Sequence, residues 1–225
     1  MIPNELIFVF HTLLVTFGVI IAARYGQQAL VSTIVLLTIT ANLFVTQTIV
    51  LCGFIATSTD AFVVGYSVAL VLLQENYGLA QARRAIVISF AGFILFTLFS
   101  WIQLWYLPAP TDFMHPAFAT ILYKLPRLLI ASAIAYIISQ YTNTLLYSQL
   151  QKKLPQNWFL ARTYGSIVST QLLDTALFSF LGLYGVINNV GSIIFVSYSI
   201  KLAAIFITVP LLKILKSLKH APANT

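Results

Sequence analysis

Seven long apolar runs, separated by short polar breaks, organise the chain; they lie at roughly 5–22, 29–51, 61–77, 85–107, 120–147, 164–186 and 191–213. A helix rising 1.5 Å per residue needs ~20 apolar residues to cross ~30 Å of hydrocarbon, and most of these runs approach that length. The third is short and is expected to tilt or to sit behind its neighbours. Arg24 with Gly26 ends the first run, and Thr57-Ser58-Thr59-Asp60 separates the second from the third. The prolines of Leu107-Pro108-Ala109-Pro110 stop the fourth, because they lack the amide donor a helix needs. Lys152-Lys153-Leu154-Pro155 breaks the fifth run from the sixth, and Asn188-Asn189 makes a tight connection into the seventh. Lipid leaves free backbone amides and carbonyls unsatisfied, so the runs are read as helices, and the alternating segments of a barrel are absent. The expected fold is therefore an all-α integral membrane bundle.

Composition agrees. Hydrophobic residues make up 60% of the 225 and charged residues only 8%, against about 25% charged in a soluble domain. So few charges cannot coat a water-exposed surface, and the length leaves no room for a separate soluble domain. One transmembrane domain is expected over 1–225, with a first helix in 1–28, a core in 29–213 and a tail in 214–225. The first run lacks the basic start and small-residue cleavage site of a leader and is read as a span. The net charge of +7 follows membrane topology rather than nucleic acid. Arg24, Arg83/Arg84, Lys152/Lys153/Arg162 and Lys213/Lys216/Lys219 fall in alternate loops and the tail, while Asp60 and Asp112 fall in the others. By the positive-inside rule the C-terminus lies in the cytoplasm and the N-terminus outside a cytoplasmic (inner) membrane. Only Lys124 and Arg127 depart from this alternation. The single cysteine, Cys52, excludes an intramolecular disulfide; it sits in an apolar stretch and is expected to be a small packing residue.

The informative side chains are the polar ones at membrane depth. Asp174 and Lys201 each lie about ten residues into their runs, or ~15 Å deep. Each would cost roughly 2.5–3.5 kcal/mol facing lipid, so pairing between these consecutive antiparallel helices is expected. Gln171 shares a helical face with Asp174, as Tyr198 does with Lys201. Ser132, Tyr136, Gln140 and Asn143 form one stripe on the fifth run, with Arg127 about a turn before it. Thr38 and Asn42 lie four apart on the second, and Glu75 ends the third. Individually these groups serve equally as hydrogen-bonding glue between helices; together they are met most economically by an internal polar cavity. Such a cavity offers carboxylates, amides, cations and aromatic faces, which suit a flat heterocycle with a Watson–Crick-like edge without selecting one. His11, His115 and His220 have no spaced partner for a metal or a nucleophile pair, and a phosphate-cradling glycine loop is absent. Catalysis, metal and cofactor are therefore not expected.

The order of the polar residues resembles the queuosine precursor transporter family, also known as vitamin-uptake-like transporters. The matching pieces are Ala41-Asn42, Gln74-Glu75-Asn76-Tyr77-Gly78 with Ala82-Arg83-Arg84, and Pro126-Arg127-Leu128-Leu129-Ile130-Ala131-Ser132 with Ala135-Tyr136 and Gln140. Arg162, Ser166, Gln171, Asp174-Thr175, Phe178, Tyr198, Lys201 and Pro210 complete the pattern, which departs from the family at Leu70-Val71, Asn143 and Thr170. The resemblance implies six core transmembrane helices plus one extra N-terminal helix, similar to the substrate-binding subunits of energy-coupling-factor transporters. It implies import of 7-cyano-7-deazaguanine, 7-aminomethyl-7-deazaguanine or queuine for making the tRNA base queuosine. Asn42, Glu75, Arg127, Gln140, Gln171, Asp174, Tyr198 and Lys201 are the expected substrate-binding residues. The expected partners are that small molecule and the bilayer, not nucleic acid, and homo-oligomers are compatible with the fold. The alternative is a binding subunit for another vitamin-like molecule, served by a separate ATP-driven module.

Overall fold

A computed structural model describes residues 2–45, 47–122, 126–183 and 190–219. Its elements run α1 (Asn4–Tyr25), α2 (Gln27–Phe44), β1 (Thr48–Leu51), β2 (Phe54–Thr57), α3 (Asp60–Tyr77) and α4 (Leu79–Trp105). After these come α5 (His115–Leu122), α6 (Pro126–Lys153), α7 (Phe159–Phe178), continued by a π-helical turn at Ser179–Leu183, and α8 (Val190–Lys219). Single glycines reverse the chain between α1 and α2 and between α3 and α4. Gly26 (φ 105°) and Gly78 (φ 86°) occupy backbone conformations that a side chain would strain.

Helix α3 is the axis of the bundle. It is buried from Val64 through Gln74 and packs against α1, α2, α4, α6, α7 and α8. Gly65 lets α1 approach, since a Cβ there would overlap the Val15 side chain. Thr16 and Thr208 hydrogen-bond at 3.0 Å, tying α1 to α8 as well. The outer faces of α1 and α4 present Phe10, Leu14, Phe99, Ile102 and Trp105 to the exterior, as a lipid-facing surface does.

Among the described residues, four helices are long and apolar enough to cross a membrane: Asn4–Tyr25, Gln27–Phe44, Leu79–Trp105 and the Ile193–Leu212 part of α8. The helices α3, α6 and α7 are polar on the inside of the bundle. They carry Asp60, Ser67, Gln74, Gln140, Asn143, Arg162, Gln171 and Asp174, all buried inside the protein. The polarity that lowers their hydropathy is turned inward, where lipid does not meet it.

The structure corrects several expectations. The second run does not continue to residue 51 as a helix; α2 ends at Phe44, and Thr48–Leu51 pairs antiparallel with Phe54–Thr57. The two-residue turn is Cys52-Gly53, with φ of 49° and 83°, and two positive φ values fit the twist of a tight hairpin. The fold is thus that of an all-α membrane protein carrying one small hairpin. Cys52 is exposed at the hairpin tip and is not a packing residue. The hairpin is fastened to the start of α1, where Cys52 N–H donates to Glu5 Oε1 at 2.8 Å and Asn4 Nδ2 to Val50 O at 3.0 Å. The fifth run covers the end of α5 and most of α6, with residues 123–125 outside the described ones, and α7 begins at Phe159, earlier than expected. The Asn188-Asn189 connection and the side chain of Arg127 lie outside the described residues.

Candidate functional site

Asp60, read from sequence as a loop residue, is the first residue of α3 and only 3% exposed. It faces Lys201 of α8, whose Nζ lies 3.9 Å from Asp60 Oδ1 and donates to Asp174 Oδ2 at 2.7 Å. Asp174 Oδ1 accepts from Ser139 at 3.1 Å, and Asp60 Oδ2 from Ser197 at 3.4 Å. One ammonium therefore stands between two carboxylates drawn from α3 and α7. Removing a charge from water costs several kcal/mol per ion unless partners compensate, and the triad supplies them.

The triad borders a cavity of about 110 Å³. On the same measure one water needs ~10–15 Å³, so the space is on the scale of a small bicyclic ring. Asn42 enters it from α2, Ser132 and Tyr136 from α6, Tyr66 from α3, and Phe178 and Ser179 from the end of α7. Ser132 Oγ donates to Asn42 Oδ1, and Asn42 Nδ2 donates to Thr38 O at 2.8 Å. Tyr136 and Ser89 share a hydrogen bond through their hydroxyls. The Tyr66 and Tyr136 rings meet edge to face, 5.2 Å apart at 81°, which fixes an aromatic wall. Thr57 of β2 and Thr59 also line it.

The other expected residues divide. Gln140 and Gln171 are fully buried just beyond the cavity, where their side-chain amides donate to the same Ser67 oxygen at 3.2 and 2.9 Å. Gln140 also reaches Ser139 at 3.4 Å and so joins the Asp174 network. Glu75 does not line the cavity. It binds Arg162 at 2.9 Å, accepts from Tyr147 OH at 2.7 Å and from Gln151 at 3.3 Å, in a separate cluster. Fifteen residues of α3 separate Asp60 from Glu75, or about 22 Å along the axis. Tyr198 is also outside the cavity; it is half-buried and donates to Val168 O at 3.2 Å. Sequence reasoning missed Asp60, Ser67, Ser139 and Tyr147. A signal existed for α3, since Asp60, Ser67 and Gln74 repeat every seven residues and hence share one face.

A lipid-facing helical bundle with an ion triad and aromatic walls around an internal cavity defines a membrane protein built to hold a small polar solute. Residues 61–215 match the family described as "Putative vitamin uptake transporter", and the chain belongs to that family. It is thus a membrane transporter and not an enzyme. The chain is 34% identical over 191 residues to a Bacillus subtilis (strain 168) protein described as "Probable queuosine precursor transporter". Those residues cover 83% of this chain and 82% of that protein. No solved structure matches the chain.

Proposed function

We propose that the protein imports a 7-deazaguanine precursor of queuosine across the cytoplasmic membrane and binds it in the cavity beside Asp174, Lys201 and Asp60. The observation that carries the reading is the pair of carboxylates on one ammonium at the cavity wall. A guanine-like edge presents adjacent N–H donors, which a carboxylate accepts together. Asp174 is already engaged by Lys201 and Ser139, whereas Asp60 is held more loosely at 3.9 and 3.4 Å. Asp60 is therefore the better acceptor for the incoming edge, with Asp174 holding Lys201 in position. Asn42 and Ser132 suit the ring carbonyl and pyrrole side, and Tyr66, Tyr136 and Phe178 suit its faces. Gln140 and Gln171 support the wall from behind. The relative of Bacillus subtilis supports the substrate class.

The topology that accompanies this reading has α2, α3, α4, α6, α7 and α8 as a six-helix core and α1 as an added seventh helix. Arg24, Arg83, Arg84, Lys152 and Lys153 fall toward one end of the helices, which supports a cytoplasmic location for that end and for the C-terminus. The hairpin and the cavity it lines then face outward. Uptake of labelled 7-cyano-7-deazaguanine, in cells lacking their own importer and any ATPase partner, tests the proposal. The wild-type chain is expected to raise uptake, and Asp60→Asn and Asp174→Asn to lower it at least tenfold while still inserting. Uptake at background level by an inserted wild-type chain overturns it.

A further inference from the structure

Beyond the cavity, toward the end of the bundle that bears the basic loops, a seam of buried amides runs between α3, α6 and α7. The Oε1 atoms of Gln140, Gln171 and Gln74 have no protein donor, and neither Nδ2 nor Oδ1 of Asn143 has a partner. All four side chains are buried. A buried polar atom left without a partner costs roughly 1–3 kcal/mol, so amides retained merely as helix glue would pair with one another. Here both glutamines instead donate to the single Ser67 oxygen, and their carbonyl oxygens are left over.

The seam is continuous along the helix axes. Gln171 is three residues below Asp174 on α7, about 4.5 Å. Asn143 is seven residues beyond the cavity residue Tyr136 on α6, about 10 Å, and four before Tyr147. Tyr147 belongs to the cluster at the far end, where Arg162 is only 1% exposed and grips Glu75 at 2.9 Å. A buried ion pair is weak evidence of added stability. At the mouth of a passage it has a different use, because opening returns both charges to water and removes their desolvation cost.

We infer that this amide seam is the exit route from the cavity, hydrated and open to the solute when the Glu75–Arg162 pair parts, and that the pair is the latch closing it. Asn143 and Gln74 then serve as hydrogen-bonding stations along the route rather than as packing residues. The inference rests on the transport reading for the solute that travels, whereas the passage and its latch are read from the buried atoms alone.

Cysteine accessibility separates the two. The only cysteine is Cys52, so Cys52→Ser gives a cysteine-free background into which Asn143→Cys is placed. Inside-out vesicles are treated with methanethiosulfonate ethylammonium, with and without Glu75→Gln, and the rate of thiol modification is measured. Labelling at least tenfold faster with Glu75→Gln supports the latch. Equal rates in the two backgrounds, whether both fast or both negligible, overturn it. If Glu75→Gln fails to insert, Arg162→Lys weakens the same pair and is judged by the same ratio. Faster labelling with Glu75→Gln, together with background 7-deazaguanine uptake by the wild-type chain, sinks the substrate reading alone; normal wild-type uptake with indifferent labelling sinks the passage alone.

Discussion

Replacing Lys201 by methionine should do more damage to the fold than replacing either of its carboxylate partners, and the geometry says by how much. At an effective dielectric near 20, gross attractions over 2.7 and 3.9 Å are about 6 and about 4 kcal/mol, before desolvation offsets most of both. Lys201→Met leaves two buried carboxylates without a cation, and removing one member of a buried ionic group typically costs ~3–5 kcal/mol. Asp174→Asn leaves Lys201 facing Asp60 and forfeits mainly one charge-assisted hydrogen bond, about 1.5–3 kcal/mol. Asp60→Asn alone should cost least, since the closer 2.7 Å partner remains. In the Lys201→Met background, however, Asp60→Asn should raise stability, because it discharges one of the orphaned carboxylates. The assay is thermal unfolding in one detergent, followed by the fluorescence of the three tryptophans. At ~2–4 °C per kcal/mol for a chain of this size, Lys201→Met should lower the midpoint by about 10 °C. A further fall in the Lys201→Met midpoint on adding Asp60→Asn, or an Asp174→Asn variant as unstable as Lys201→Met, would refute a triad held together by its ammonium.

Further tests follow from other contacts. Ser67→Ala removes the shared acceptor of Gln140 and Gln171 and should cost about 2–4 kcal/mol of stability, more than the ~1 kcal/mol of a single neutral hydrogen bond; equal thermal midpoints would argue against the network. Gly65→Ala should lose about 1–3 kcal/mol by overpacking against Val15, and Val15→Ala in the same chain should restore much of it in the same melt. Cys52, exposed at the hairpin tip, should react with a membrane-impermeant maleimide on intact cells and not in inside-out vesicles; the opposite pattern would invert the proposed orientation.

Much of the architecture was legible because membrane helices advertise themselves by length and apolarity, and α1, α2, α4 and α8 do so. The Asp174–Lys201 pair was legible for a related reason: two opposite charges at matching depth on consecutive helices have few alternatives to meeting. Asp60 was hidden by its neighbours. After Thr57-Ser58-Thr59 an aspartate looks like a helix start in water, and only the approach of α8 reveals its burial. The distance of Glu75 from the cavity was not legible, because depth along one helix does not say which neighbour it meets; Arg162 and Tyr147 come from α7 and α6. The hairpin was overlooked because Thr48-Ile49-Val50-Leu51 reads equally as the tail of an apolar helix. The two-residue Cys-Gly break between β-branched stretches was the available signal.

The clasp between the first residues of α1 and the hairpin has a practical corollary. Asn4 and Glu5 hold Val50 and Cys52, and the same ribbon ends at Thr57, in the lining of the cavity. Cargo fused to the leading end of the protein would therefore pull on that lining through two bonds and a four-residue strand. Affinity handles and fluorescent reporters belong at the trailing end, and a loss of uptake caused by a leading-end fusion should not be mistaken for a defect in solute recognition.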